Sequence, residues 1–254
     1  MDIGISALPF QLNDAIDICK TYNNINHIEI GIDNLEDCKI VKSYLEDIKK
    51  LNLSIGIHLP MELNTCENIN YISNSWVIFI EKINNELSEF NVKYYNMHLG
   101  YAITSRYLNK KQNYLDNSVK FLNKLANKLN CSITIENTYS NGGDISNIGT
   151  SVDEFEYIFN NVNKDNIKFC YDSGHNLINK SNYLNNLNSM MEVVHLSDND
   201  GKKDIHIGLG KGKLDLNEVI NIINLKVKII VLEVNYLEIK NSLDILENLL
   251  NWRE

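Results

Sequence analysis

Short runs of β-branched and apolar residues alternate with longer segments of helical periodicity along most of the 254-residue chain. Eight of these runs predict strands, at residues 3–6, 27–30, 54–58, 94–98, 132–136, 168–171, 192–195 and 228–233. Several are almost continuously apolar, which is typical of parallel strands that are covered on both faces. Strands that alternate with helices form βα units, so this pattern restricts the chain to a parallel α/β architecture.

The segments between these runs predict amphipathic helices, among them residues 35–50, 115–129 and 239–250. No linker, low-complexity tract or charge block interrupts the alternation. Eight βα units in a chain of roughly 250 residues are typical of a (β/α)8 barrel. The alternative is a doubly wound open sheet, but no GxGxxG follows the first strand. We therefore predict one TIM-barrel domain over residues 1–254.

Polar side chains stand at the ends of six consecutive predicted strands, from the third to the eighth. They are His58, His98, Glu136, Asp172, His195 and Glu233. The loops that follow add three more: His175, Asp204 and His206. Each residue taken alone is more often structural. In a (β/α)8 barrel, however, the C-terminal ends of the strands meet at one mouth and carry the catalytic groups. We therefore expect all nine side chains to converge.

Four of these residues are carboxylates, namely Glu136, Asp172, Asp204 and Glu233. Uncompensated negative charges crowded into one site repel each other and are costly to bury. Divalent cations remove that conflict, and neutral imidazoles complete the coordination without adding charge. A donor set of nitrogen and oxygen without thiolate suits Zn²⁺ or Mn²⁺, with Co²⁺ and Fe²⁺ as alternatives. The pattern predicts a site for one to three divalent metal ions.

An ordered set of short motifs carries a family resemblance. The motifs are 58–60 (HLP), 96–100 (NMHLG), 135–138 (IENT), 171–175 (YDSGH), 195–201 (HLSDNDG), 204–210 (DIHIGLG) and 232–233 (LE). Together they resemble the xylose isomerase-like TIM-barrel superfamily, which includes sugar phosphate isomerases/epimerases and endonuclease IV. Each motif is weak alone, but the set runs in order from the third strand to the eighth.

The resemblance to sugar epimerases implies a single metal ion held by Glu136, Asp172, His195 and Glu233. Glu136 and Glu233 would then act as acid and base on either side of the substrate, and the metal would stabilise an enediolate. His175 would contact either the substrate or one of the metal ligands.

The resemblance to endonuclease IV implies more metal. All nine ligands of its three zinc ions have counterparts here, and the additional five are His58, His98, His175, Asp204 and His206. Glu136 would bridge two ions, and the chemistry would be phosphodiester hydrolysis.

The overall charge disfavours a nucleic-acid substrate. The net charge is −9 and the chain has only two arginines, Arg106 and Arg253. A nucleic-acid-binding protein usually presents a basic face. The sequence therefore favours a small sugar or sugar phosphate, acted on by an isomerase or epimerase, with the zinc phosphodiesterase as the alternative. A barrel that only binds metal is disfavoured because it would not need an opposed acid and base.

Three further residues are candidates for substrate contact: Lys211 in a glycine-rich run, Glu29 at the end of the second strand, and Tyr101 after the fourth. The five cysteines contain no CxxC pair and predict neither disulfides nor a thiolate zinc site. No signal peptide or membrane-length apolar segment is visible, so we expect a cytoplasmic protein without a membrane partner, which could form a homo-oligomer.

Overall fold

Eight parallel strands close into a barrel, which confirms the predicted (β/α)8 architecture. The computed structural model describes residues 1–140 and 142–251. The predicted domain limits, 1–254, include residues 141 and 252–254, which lie outside the described residues. The barrel strands are β1 (Asp2–Ala7), β2 (Ile25–Gly31), β3 (Ser54–His58), β4 (Val92–His98), β6 (Ser132–Glu136), β8 (Ile167–Asp172), β9 (Met191–Leu196) and β10 (Ile229–Leu232). Neighbouring strands follow the order β1-β10-β9-β8-β6-β4-β3-β2 around the barrel.

Ten α-helices accompany the strands in the described part of the chain. They are α1 (Leu12–Thr21), α2 (Leu35–Lys42), α3 (Leu45–Lys50), α4 (Asn70–Glu86), α5 (Thr104–Ala126), α6 (Val152–Asn161), α7 (Ser173–Ile178), α8 (Tyr183–Asn186), α9 (Leu216–Asn224) and α10 (Ile239–Asn251). Two 3-10 helices, Pro9–Gln11 and Tyr236–Glu238, follow β1 and β10. Among the described residues, none of these helices is both long and apolar enough to cross a membrane.

The helix boundaries differ from the sequence pattern in two places. The predicted helix 35–50 is divided, because Tyr44 leaves helical geometry (φ −102°, ψ 8°) between α2 and α3. The predicted helix 115–129 begins earlier, as the second part of α5, which is kinked at Lys110 (φ −139°, ψ 31°). The sequence shows the apolar stripe in the second part of α5. The first half of α5 is mostly polar and shows no comparable stripe, so it was not predicted as a helix.

A small second sheet lies outside the barrel and was not predicted. Strands β5 (Tyr101–Ile103) and β7 (Ile145–Asn147) pair in antiparallel fashion over three residues each. They belong to the loops that follow β4 and β6. Runs of three residues are too short for alternation to be recognised, so long-range pairing alone creates them.

The strand register brings the polar strand ends to one edge. His98 pairs in register with Glu136, and Asp172 pairs with His195. His58 lies beside Asn96 of the neighbouring strand, two residues before His98. Because side chains alternate along a strand, Asn96 and His98 point to the same side, toward the barrel axis. The register thus converts a sequence pattern into one polar mouth at the C-terminal ends of the strands.

Candidate metal centre

All nine predicted metal-binding side chains lie together at this mouth. Seven of them line a cavity of about 390 Å³: His58, His98, Glu136, His175, Asp204, His206 and Glu233. Asp172 and His195 are completely buried behind it and contact the members that line it. Five of the nine lie at the ends of barrel strands, Glu233 directly follows β10, His175 lies in α7, and Asp204 and His206 lie in the loop after β9, so only closure of the barrel assembles them.

Glu136 is at the centre of the cluster and is almost completely buried. Its Oε2 lies 3.4 Å from Nε2 of His58 and 3.4 Å from Nδ1 of His195. Its Oε1 lies 3.3 Å from Nε2 of His98 and 3.3 Å from Nδ1 of His175. Each carboxylate oxygen therefore faces two imidazoles, an arrangement suited to a carboxylate that bridges two cations.

Three of the histidines are held by backbone carbonyls. Nδ1 of His58, His175 and His206 lies 2.8, 2.8 and 3.0 Å, respectively, from a carbonyl oxygen. A carbonyl oxygen can only accept a hydrogen bond, so Nδ1 carries a proton in each ring. In the neutral imidazole, Nε2 then keeps its lone pair free as a donor for a metal ion.

His195 is held in the opposite sense. Its Nε2 donates to the Glu29 carboxylate at 2.9 Å, which leaves Nδ1 as the free donor atom. This Nδ1 lies 3.2 Å from Glu233 Oε2 and 3.9 Å from Asp172 Oδ2, in addition to its contact with Glu136. The side chain thus presents one nitrogen to a group of three carboxylates.

The donor atoms form three groups that share Glu136 or border on it. The first group contains His58, His98 and Glu136, and the second contains Asp172, His195 and Glu233, with Glu136 Oε2 3.4 Å from its His195. The third group contains His175, Asp204 and His206, because Asp204 Oδ2 lies 3.2 Å from His175 Nε2 and 3.1 Å from His206 Nε2. Although Nδ1 of His175 also approaches Glu136, that nitrogen is engaged by a carbonyl, so we place His175 in the third group.

The spacing of the donors fits coordination by metal better than direct hydrogen bonding. Most of the nitrogen–oxygen separations within the groups are 3.1–3.4 Å. Neighbouring ligands of a tetrahedral Zn²⁺ with bonds near 2.0–2.1 Å are roughly 3.3–3.4 Å apart. Four buried atoms of the cluster have no hydrogen-bond partner among the described residues: His98 Nε2, Asp172 Oδ2, His195 Nδ1 and Asp204 Oδ1. Native proteins rarely leave such atoms unsatisfied, so the residues fit a set of bound cations.

Without metal, the charged side chains shift one another's pKa values strongly. Burial by itself raises the pKa of Glu136, but the charges of His195 and His98 outweigh it and hold the pKa well below its usual range. Burial raises the pKa of Asp172, with the neighbouring Glu136 and Glu233 adding to the shift. Such opposed shifts are typical of functional sites, because one volume holds many charges.

His58 and His206 are two of the four imidazoles whose pKa is raised, His175 and His195 being the others, so each gains a proton that metal would have to displace. Burial lowers the pKa of His58, but its hydrogen bond and attraction to Glu136 outweigh this effect and raise the pKa to about 9. The hydrogen bond to Asp204 raises the pKa of His206 to about 9. The stabilisation of the metal-free fold by these protonated rings is complete below pH 6.5 and is lost as the pH rises through about 9.

Metal affinity is therefore expected to rise with pH between about 6.5 and 9 and to be accompanied by proton release. A metal ion binds the neutral imidazole, so each protonated ring must lose its proton first. Isothermal titration calorimetry with Zn²⁺ in two buffers of different ionisation enthalpy would measure the protons released. An affinity that does not change over this pH range would contradict the assignment of His58 and His206 as ligands.

Two asparagines support the cluster and were not singled out from the sequence. Asn96 donates to Glu136, and Thr134 orients Asn96 by donating to its carbonyl oxygen at 2.7 Å. Asn137 bonds both the backbone nitrogen and the backbone oxygen of Asp172, at 2.8 and 2.9 Å. Both lie within two residues of a strand-end ligand. Asn96 is on the same inward face of β4 as His98, and this alternation could have identified it from the sequence.

The three predicted substrate contacts have different surroundings. Glu29 lines the floor of the cavity and is buried, with its Oε2 engaged by His195 and Tyr94. Lys211 forms an ion pair with Glu238 at 2.5 Å, and Tyr101 is a partly exposed residue of β5; neither is among the residues that line the cavity. Glu29 is thus the one of the three that the fold brings to the cavity.

The fold and the donor cluster define a class, (β/α)8 barrels with a mixed histidine and carboxylate centre at the C-terminal mouth. The family model described as "Xylose isomerase-like TIM barrel" matches residues 14–253. The chain therefore belongs to the xylose isomerase-like TIM-barrel family.

Two curated relatives are similar in sequence. The uncharacterized protein MJ1614 of Methanocaldococcus jannaschii is 26% identical over 232 residues, covering 85% of each chain. A probable endonuclease 4 of Campylobacter hominis is 29% identical over 177 residues, covering 62% of this chain and 60% of the relative.

Three solved structures share the fold. A D-tagatose 3-epimerase-like protein superposes with a TM-score of 0.85 at 22% identity, over 99% of this chain and 98% of that one. The TTHB071 protein of Thermus thermophilus, soaked with ZnCl2, gives 0.78 at 16% identity over 100% of both chains. Endonuclease IV of the same organism gives 0.69 at 17% identity, over 99% of this chain and 100% of that one. These likenesses establish the fold; the reaction must be argued from the site.

Proposed function

We propose that this protein is a hydrolase of phosphate esters that uses a centre of two or three divalent metal ions, zinc being the best match. The observation that carries the proposal is the position of Glu136, whose carboxylate oxygens lie 3.3–3.4 Å from imidazole nitrogens of His58, His98 and His195, which belong to two different donor groups. A centre with a single ion needs no such bridge. The relatives described as probable endonuclease 4 support the same chemistry.

Each of the three donor groups would hold one metal ion. The second group, with Asp172, His195 and Glu233, would hold one ion beside Glu136, and His58 and His98 would hold another across it. His175, Asp204 and His206 would hold a third at the side of the cavity. When bound, such ions polarise phosphoryl oxygens and activate water as a nucleophile.

The cavity requires metal to attract an anion. Five carboxylate residues line it, and none of the described residues that line it is a lysine or arginine. A phosphate group would therefore be repelled unless bound cations reversed the local charge. This makes the ions necessary for binding the substrate as well as for the reaction.

A sugar epimerase with one metal ion is the second candidate. It is supported by the convergence of Glu136 and Glu233, whose Oε2 atoms lie 3.4 and 3.2 Å from the same His195 nitrogen. These two carboxylates would be the opposed acid and base. The lack of lysine and arginine in the described lining favours a neutral sugar over a sugar phosphate for this candidate. The sequence favoured the epimerase, but it uses only four of the nine donors and leaves His58, His98, His175, Asp204 and His206 without a ligand role.

Metal content and two assays would separate the candidates. The hydrolase predicts two or three equivalents of Zn²⁺ in protein purified without added metal, and cleavage of bis(p-nitrophenyl) phosphate or of a duplex with an abasic site. The epimerase predicts one exchangeable ion and incorporation of solvent deuterium at a sugar carbon. Deuterium incorporation into a ketohexose by a protein that holds one ion and cleaves neither ester would overturn the proposal.

Substitution of His206 by alanine provides a sharper comparison, because it leaves the epimerase quartet intact. We expect His206→Ala to lower ester hydrolysis by on the order of 100-fold or more, since metal ions contribute several kcal/mol to such reactions. The matched control is Lys211→Ala in the same loop, which removes a side chain that pairs with Glu238 and does not line the cavity. Its metal content should stay that of the wild type, even if the fold is weakened. Hydrolysis that survives in His206→Ala would remove the third group from the mechanism.

A further inference from the structure

A continuous set of hydrogen bonds runs from the metal centre into the interior of the barrel. Glu29 Oε2 accepts from His195 Nε2 at 2.9 Å and from the Tyr94 hydroxyl at 2.6 Å. The Tyr94 oxygen lies 3.2 Å from Nε2 of His27, whose Nδ1 lies 2.8 Å from Oγ of Ser54. All five residues are buried, with exposed fractions of 4% or less.

The carboxylate determines the direction of every bond in this set. An ionised carboxylate only accepts, so both His195 Nε2 and the Tyr94 hydroxyl must donate to Glu29. The Tyr94 hydroxyl proton is then used in the bond to Glu29, so the Tyr94 oxygen can only accept a hydrogen bond from His27 Nε2. Burial lowers the pKa of His27 to about 3, so the ring is neutral, and its Nδ1 accepts from Ser54 Oγ at 2.8 Å, a shorter contact than the 3.4 Å from that oxygen to the Asn26 carbonyl. No step of the chain is left with two donors or two acceptors facing each other.

The backbone is shaped to admit these large polar side chains. A Cβ at Gly56 would overlap the ring of Tyr94, and a Cβ at Gly4 would lie 2.8 Å from Cδ2 of His27. Both glycines are in strands of the barrel, where branched apolar residues usually fill the interior. A buried polar network is costly unless each of its donors faces an acceptor. In this network every hydrogen bond pairs one donor with one acceptor.

We propose that Glu29, Tyr94 and His27 act as a positioning relay that locks His195 in the tautomer with a free Nδ1 and aims this nitrogen at a metal ion. The relay rests on the metal centre of the proposed function, but it is independent of whether the reaction is hydrolysis or epimerisation. It also gives Glu29 a role different from the predicted substrate contact. Partners of this kind orient a ligating histidine and raise its basicity.

The test is metal binding without substrate. Zn²⁺ affinity would be measured by competition with a chelator for the wild type, Glu29→Gln and Tyr94→Phe, and the His195 tautomer by ¹⁵N NMR of the imidazole. We expect Glu29→Gln to weaken one bound equivalent by ~10–100-fold and to shift the tautomer, with the other equivalents unchanged. Tyr94→Phe should weaken the same equivalent by on the order of 10-fold. Tyr94→Phe keeps the charge of Glu29, so this variant still tests the relay if Glu29→Gln does not fold.

Tyr95→Phe is the matched control. Tyr95 is the next residue of β4, and its buried hydroxyl bonds Asn84 at 3.3 Å, away from the relay. We expect its metal affinity and its His195 tautomer to be those of the wild type. Equal affinity in the wild type and both relay variants, or equal loss in Tyr94→Phe and Tyr95→Phe, would overturn the relay. A wild type that binds no metal would instead contradict the proposed function.

Discussion

Replacement of Glu136 by glutamine is expected to remove at least one bound metal ion and to lower turnover by on the order of 1,000-fold or more. Each oxygen of Glu136 faces two imidazoles, so loss of its charge affects the first and second donor groups together. Metal ions contribute several kcal/mol of transition-state stabilisation, and each 1.36 kcal/mol is a factor of about ten in rate. Metal content by mass spectrometry and initial rates of ester hydrolysis would measure both effects.

Glu192→Gln is the matched control for this substitution. Glu192 is also a buried strand glutamate, but it lies near the start of β9 and binds Ser132 and Lys228. We expect this variant to lose stability and to keep its metal content and rate per folded molecule. If Glu136→Gln held the full complement of metal and turned over normally, the bridging role of Glu136 would be wrong.

Loading with Zn²⁺ is expected to raise the thermal midpoint of the metal-free protein by on the order of 10 °C for each ion bound. Ligand at roughly 1,000 times its dissociation constant stabilises the folded state by about 4 kcal/mol per site. For a protein of this size, each kcal/mol shifts the midpoint by roughly 2–4 °C. The gain arises because the unfolded chain cannot gather nine donors that are far apart in sequence, and because the ions satisfy atoms such as Asp172 Oδ2 that otherwise lack a partner among the described residues.

Mg²⁺ provides the control for this measurement. It prefers six oxygen ligands, whereas five of the nine donor residues here are histidines. Differential scanning calorimetry of chelator-treated protein should therefore show a much larger shift with Zn²⁺ than with Mg²⁺ at equal concentration. Equal shifts would point to nonspecific screening of the carboxylates and would count against a histidine-rich centre.

Much of the fold could be predicted from the sequence, because burial leaves a local record. Strands covered on both faces must be apolar along their length, so β3 and β6 were predicted with the boundaries that the structure has, 54–58 and 132–136. Helices record only the face that they bury. For this reason the apolar stripe of α5 was recognised, while its polar first half and the break between α2 and α3 were not.

The nine candidate ligands were also predictable, since a closed parallel barrel brings the carboxyl ends of its strands together whatever the loops do. Their roles as ligands stay a prediction that the metal measurements test. Asn96, Asn137 and the relay through Tyr94 and His27 were not found. Their importance lies in contacts between strands that are 27 to 166 residues apart in sequence, such as those of Glu29 and His195.

The barrel and the ring of strand-end residues follow from the periodicity of the chain and from the residue at which each strand stops, so both are local properties. Which atoms of that ring face one another depends on how the strands pack. Only the folded chain holds His58, His175 and His206 by Nδ1 and His195 by Nε2, and only there does Glu136 stand between imidazoles from three strands and a helix. A side chain's identity is local, whereas its tautomer and orientation depend on hydrogen bonds to residues distant in the chain. These contacts favour a hydrolase with two or three metal ions over the epimerase with a single ion that the sequence alone favoured.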